Sequence, residues 1–366
     1  MSTFCYVTTE SLPIGLLPVI SADLRVSLSA VGLLVTGYGA VVAVMAVPLT
    51  VLTRQVPRRF LLGGVLTAFT LATALAAAIP NYWVLLVSRV ATALTHAVFW
   101  SVVAAAATSL FPSQARGRVI SLVYSGGSLA IVLGVPAGTW LGQREGWRSA
   151  FWVLTGMGLL ALIGVATLLP TSEPQLGDSA AGSRPSRRRY WSVLAITTVA
   201  VTGAFTGYTY IAPFLVHVSG FSAETVGPLL LVDGAGGIAG VVAASVCLDR
   251  HPRLALLVSV VLLGVALIGL SAVGGLRVVV PLLLAMFGFG MAVFGAALQH
   301  RVMEVAPGNV DVASAGNSSA FNVGIATGAF IVGRMLPVFG VRAGPLVGGL
   351  ITLTVLAVVL SDPPAS

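Results

Sequence analysis

A helix needs roughly 20 consecutive, mostly apolar residues to cross the hydrocarbon core of a bilayer, and this chain supplies such a run twelve times over. The runs lie at roughly 1–21, 29–52, 60–79, 83–107, 118–141, 149–169, 191–216, 225–247, 254–273, 277–299, 311–336 and 341–360. Inside lipid every backbone N–H and C=O must be satisfied within the protein, and a helix does this segment by segment. The expectation is an all-α membrane protein. Charge agrees: only 8% of the 366 residues are charged, against about 25% in a soluble domain, too few to cover a water-facing surface. The 42 glycines and 19 prolines are ordinary in membrane helices, where small residues let backbones approach.

All 19 basic residues are Arg and the net charge is +8. Nucleic-acid binding needs a clustered basic face. These arginines instead stand singly or in short groups between apolar runs, as topology determinants do. Positive charge accumulates on the cytoplasmic side. Arg54, Arg58, Arg59, Arg116, Arg118, Arg184, Arg187, Arg188, Arg189, Arg250, Arg253 and Arg301 fall in one set of loops, and Arg25, Arg144, Arg148, Arg277 and Arg342 in the other. The first set is expected to be cytoplasmic, with both termini. Residues 170–190, rich in Ser, Gly, Pro and Arg, read as a disordered linker. The division is therefore 1–169, an N-terminal six-helix bundle; 170–190, a cytoplasmic linker; and 191–366, a C-terminal six-helix bundle. The N-terminus lacks the positive n-region of a signal peptide, and Glu10 and Pro13 interrupt its apolar stretch; residues 1–21 read as the first span.

The chain also repeats itself. A shift of 195 residues, without gaps, lays Pro18 on Pro213 and Ser27 on Ser222. Val31-Gly32 falls on Val226-Gly227, Gly39 on Gly234, Pro57-Arg58 on Pro252-Arg253, Ala97-Val98-Phe99 on Ala292-Val293-Phe294, Pro112 on Pro307 and Gly138 on Gly333. One register across five helices and their loops is a parallel duplication of a six-helix unit, the two-half design of many transporters. It makes Met1 equivalent to Ile196, inside helix 7, so helix 1 is expected to be shortened, with the true start codon upstream.

Ionisable residues inside the spans are few. A charge at the bilayer centre costs about 3 kcal/mol on insertion scales, so such groups usually face a wet cavity. Glu10 lies near the middle of helix 1. A carboxyl group kept from water can take up and release a proton near neutral pH, which suits proton coupling; the bland alternative is a position at the interface. Asp233, in helix 8, is either a second proton site or a cation contact for substrate, or else a carboxylate capped by backbone. Arg89, in helix 4, pairs with Glu10 or a substrate anion, or snorkels outward. Tyr38, the repeat mate of Asp233, His96 in helix 4 and Asn322 in helix 11 are candidates for a substrate cavity, although His96 and Asn322 also read as packing residues. Glycines recur every four residues at Gly134, Gly138 and Gly142, at Gly236 and Gly240, and at Gly324 and Gly328. Such faces allow tight helix contact and suit either plain packing or pivots for rocking one half against the other. Pro136 favours a kink.

Catalysis and cofactors find no support. Gly316-Asn317-Ser318-Ser319 bears a loose likeness to an intramembrane serine protease turn but lacks the following Gly and a placed His. A chain without Lys holds no Walker motif, which excludes ATP-driven transport by this chain alone. Cys5 and Cys247 form no CxxC pair and no His/Cys cluster has metal spacing. They are expected to be free thiols, and no metal or cofactor is expected.

Several stretches resemble the major facilitator superfamily, in particular its 12-helix drug:proton antiporter branch, close to arabinose-efflux-type and chloramphenicol-resistance-type exporters. Helix 1 carries Thr8-Thr9-Glu10 and then Gly15-Leu16-Leu17-Pro18; helix 4 carries Leu85-Leu86-Val87-Ser88-Arg89. Helix 5 carries Gly126-Gly127 and Gly134-Val135-Pro136-Ala137-Gly138-Thr139, similar to the antiporter motif. Gly146-Trp147-Arg148, Phe151 and Phe321-Asn322-Val323-Gly324 complete the likeness. It implies the major facilitator fold, with Glu10 as a proton or substrate carboxylate, Arg89 in the coupling network and the helix 5 motif setting export direction. The loop after helix 2, with Arg54, Arg58 and Arg59, has lost the family's Gly and Asp; the copy after helix 8 keeps Asp249 and Arg250, followed by Arg253. Asp233 and Arg334 stand where the family has apolar residues and Gly. The resemblance implies a proton-coupled efflux transporter of amphipathic small molecules in the plasma (inner) membrane, acting as a monomer on a small-molecule substrate and protons, without nucleic acid. A sugar or nucleoside exporter, or a non-transporting membrane sensor, are the alternatives.

Overall fold

The computed structural model describes residues 1–53, 55–108, 123, 126–169, 183–248, 251–308 and 310–361. Arg54, Arg116, Arg118, Asp249, Arg250 and most of the expected linker lie outside the described residues. Twelve helical elements follow in order: α1 (Ser2–Leu24), α2 (Leu28–Thr53), α3 (Arg58–Ala78), α4 (Tyr82–Thr108), α5 (Val135–Arg144, entered through a wide turn at Ala130–Gly134), α6 (Trp147–Leu168), α7 (Arg187–Tyr208, continued after a break by Ile211–His217), α8 (Val226–Cys247), α9 (Pro252–Val273), α10 (Val280–Val305), α11 (Val310–Phe339) and α12 (Ala343–Ser361). Among the described residues, eleven spans are long and apolar enough to cross a membrane.

Local chemistry explains the departures from straight helices. Pro136 has no N–H to donate one turn back, and the ladder before it widens so that the Val135 N–H reaches Ala130 O, a five-residue step. Pro213 likewise cannot bond Thr209, and α7 breaks at Thr209–Tyr210. The α5–α6 and α11–α12 turns each need a positive φ, and each has a glycine for it: Gly146 (φ 85°) and Gly340 (φ 67°). The expected linker ends sooner than its composition suggests. Ser186 accepts a hydrogen bond from the Arg189 N–H and caps α7, which starts at Arg187. Just before it, the Arg184 and Ser186 N–H groups donate to Glu304 O (2.8 Å) and Val305 O (3.0 Å).

The packing has the two-fold logic of the repeat. In the first six helices α3 lies against α4 and α6, α2 against α4, and α1 against α5 and α6; α9 with α10 and α12, α8 with α10, and α7 with α11 and α12 reproduce these contacts. Between the halves, α2 packs on α11 and α5 on α8. Helix ends are tied in related ways too. Arg59 donates to Ala166 O near the end of α6, and Arg253 to Val359 O and Leu360 O near the end of α12. Cations there satisfy open carbonyls and oppose the negative end of the helix dipole.

Candidate functional site

Glu10 is the ninth residue of α1, facing α4 inside the first half. Its side chain is 20% exposed, and Oε2 lies 4.0 Å from His96 Nδ1. Around it the structure gathers residues from three helices. The Arg89 guanidinium, 1% exposed, donates to the carbonyls of Thr9 (2.5 Å) and Glu10 (3.1 Å) and lies over the Tyr38 ring at 4.2 Å. It neither snorkels nor clasps the Glu10 carboxylate. It grips the α1 backbone at the acidic residue. A guanidinium placed on two carbonyls and an aromatic face is compensated for the water it has lost.

His96, 4% exposed, is engaged at both ring nitrogens. The Trp100 indole N–H donates to Nε2 (2.7 Å), and Nδ1 lies 2.6 Å from the Tyr38 hydroxyl. A neutral ring whose Nε2 accepts carries its proton on Nδ1, so His96 donates to Tyr38 and leaves the phenolic hydrogen free for another acceptor. Tyr6 closes the cluster, edge-on to His96 at 5.7 Å and stacked on Phe99 at 4.3 Å. Arg89, His96 and Trp100 share one face of α4, seven and four residues apart. Sequence reasoning passed over Trp100 and Tyr6, although the four-residue step from His96 to Trp100 was visible.

Asp233 is 7% exposed and lies apart, in the second half. Tyr208 of α7 donates to its Oδ2 at 3.0 Å and stacks on Phe287 of α10, centroids 4.6 Å apart and planes within 6°. Among the described residues no backbone group caps the carboxylate, and Oδ1 has no partner. Nothing in the sequence tied Tyr208 or Phe287 to Asp233. Asn322, 4% exposed, donates to Ser318 O (3.0 Å) and leaves Oδ1 unpartnered. Its backbone faces Gly39 across the seam, where a Cβ would come 3.0 Å from Asn322 O.

The glycine stripes lie within the halves. On α5 and the residues before it, Gly126 faces Thr3, Gly134 faces Phe4 and Thr8, Gly138 faces Leu12 and Gly142 faces Leu16, all on α1; Gly127 faces Val7. Gly236 and Gly240 receive α10, and Gly324 and Gly328 receive α7. None of these three stripes is the surface on which one half meets the other. That seam belongs to the glycines the repeat had matched. A Cβ on Gly39 would crowd α11, and on Gly234 it would fall 2.6 Å from Val132 Cα in the turn that enters α5. Gly32 makes room for Tyr210 and Gly227 for Pro136 and Trp140. At the end of the bundle opposite the termini, Ser29 donates to Gly333 O (2.9 Å) and Tyr210 to Leu28 O (3.3 Å) across the seam. Among the described residues, the glycine contacts and hydrogen bonds that cross between halves stop at the level of Gly39 and Gly234.

With two clasped six-helix bundles and buried ionisable groups at mid-depth, the comparison with known proteins is decisive at the level of family. The sequence profile of the Major Facilitator Superfamily matches residues 1–314. The chain belongs to that superfamily. This facilitator is a multi-pass membrane transporter of small molecules, not an enzyme. Its fold is similar to that of the human organic anion transporter MFSD10 (TETRAN), with TM-score 0.71 and 16% identity, covering 98% of this chain and 97% of that one. It is also similar to a point mutant of the nucleoside transporter NupG, with TM-score 0.78 and 12% identity over 98% and 97%. At such identities the likeness concerns the fold and leaves cargo open.

Proposed function

We propose that the chain is a proton-coupled efflux transporter of small amphipathic molecules in the plasma membrane, working as a monomer with both termini in the cytoplasm. The observation that carries the proposal is the placement of Glu10. Its carboxyl group sits at mid-depth, a fifth exposed and 4.0 Å from His96, on a helix whose backbone Arg89 holds at the same residue. Gaining a proton removes a charge whose burial is costly, and the balance between two orientations of the halves shifts accordingly. Each proton returning inward supplies about 2.3 kcal/mol per 100 mV of membrane potential. The seam, tied at the face opposite the termini, and the Arg excess in loops of the terminal face support a state open to the cytoplasm, where an exporter loads.

The test is transport into inverted membrane vesicles under an imposed pH gradient, across a panel of cationic, neutral and anionic amphipaths and sugars. Glu10→Gln is expected to abolish gradient-driven accumulation and to retain counterflow exchange. Gradient-driven accumulation at wild-type rates in that variant would overturn Glu10 as the coupling group.

A further inference from the structure

The two halves share a register but not a charge balance. At the α2 position of the first half stands Tyr38, covered by the Arg89 guanidinium. The corresponding α8 position of the second half holds Asp233, while the counterparts of Arg89 and His96 are Leu284 and Met291. The first half therefore contains an acid and a base at mid-depth. The second contains an acid alone, and among the described residues no cation lies within 4 Å of it.

A buried carboxylate without a counter-charge is costly in a bilayer and has to be neutralised by something. Three features bear on what does so. Tyr208 donates to Oδ2. Oδ1 is buried and unpartnered. Beside it stands Gly288, where α8 and α10 pack so closely that a Cβ would run into the Asp233 backbone carbonyl and come 3.0 Å from Oδ1. Next to the carboxylate, Tyr208 and Phe287 form a flat aromatic stack, and Tyr208 is only partly buried. An anion with an unpartnered oxygen beside aromatic rings is the chemistry that recognises an organic cation.

We propose that Asp233, with Tyr208 and Phe287, is the cargo's cation subsite, and that this transporter's substrates carry a positively charged, aromatic or amphipathic amine-like group. The cargo supplies the positive charge that the first half builds in as Arg89. The proposal deepens the efflux reading by naming the cargo class, yet it requires no proton gradient and can be tested separately.

The experiment is equilibrium dialysis of the purified full chain in non-ionic micelles, against matched empty micelles, with tetraphenylphosphonium and tetraphenylborate. The two ions have nearly the same size and shape but opposite charge. The phosphonium is permanently charged, so its binding is not confused with proton uptake. Saturable phosphonium binding roughly tenfold or more tighter than borate is expected, with a loss of similar size in Asp233→Asn and retention of the preference in Asp233→Glu. Equal affinities, tighter borate binding or no phosphonium binding by the wild type would overturn the proposal even if Asp233→Asn fails to fold. So would a cation preference that survives Asp233→Asn and vanishes in Glu10→Gln, since it would belong to the first half. Failure of gradient-driven transport with phosphonium binding intact would instead remove the coupling scheme and leave the subsite standing.

Discussion

Arg89 illustrates how a single intramembrane charge is accommodated. Its terminal nitrogens hold two carbonyls of α1, and its plane covers Tyr38. A fork that bonds two acceptors while stacking on a ring is a guanidinium property that an ammonium lacks. Arg89→Lys is therefore expected to lower stability by about 2 kcal/mol, read as a fall in the thermal unfolding temperature of the purified protein in micelles. An unchanged temperature would show that the α1 grip contributes nothing. In the sequence Arg89 was conspicuous as a charge in an apolar run, but its partners were not. They are backbone carbonyls, and no side-chain pattern announces a carbonyl left available by the course of a helix containing Pro13.

Helix packing turns on where a Cβ cannot fit. At Gly236 it would come 2.8 Å from the backbone C and Cα of Ala285, and backbone cannot move aside as a flexible side chain can. Gly236→Ala is expected to destabilise the second half by about 1–3 kcal/mol through forced separation of α8 and α10. Gly63 has open space around its missing side chain, and Gly63→Ala is expected to be neutral or slightly stabilising. Thermal unfolding of the two variants side by side checks the contrast. The small-residue stripes were legible as periodicity, yet periodicity could not name their partners. A face that repeats every four residues can receive any neighbouring helix, and the structure gives all three stripes to helices of their own half. The inter-half seam uses Gly32, Gly39, Gly227 and Gly234, seven apart in each copy, which the repeat had aligned without revealing why.

For the whole molecule, the seam fixes what transport has to undo. Ser29 and Gly333 touch across the halves at the face opposite the termini. In a background with Cys5 and Cys247 replaced by Ser, the pair Ser29→Cys and Gly333→Cys is expected to cross-link with a short bifunctional reagent and to stop transport, with recovery on reduction of a cleavable linker. Vesicle flux before and after reduction is the measurement. Flux that continues through the cross-link would mean that this face need not open.

The sequence by itself determined the membrane, the helices, the duplication and, through the superfamily motifs, the fold. These rest on composition, run length and a fixed register, quantities that a linear chain carries whole. It also marked the unusual residues, Glu10, Arg89, His96 and Asp233, because a charge or imidazole stands out in an apolar run. Only the tertiary structure decided their company: His96 between Trp100 and Tyr38, Arg89 on the α1 backbone, Asp233 under Tyr208 and beside Gly288. Those contacts join residues up to 80 positions apart, through helix rotations and depths set by how all twelve elements pack. No local pattern specifies that packing, because an apolar helix in lipid presents nearly equivalent surfaces until its neighbours choose among them.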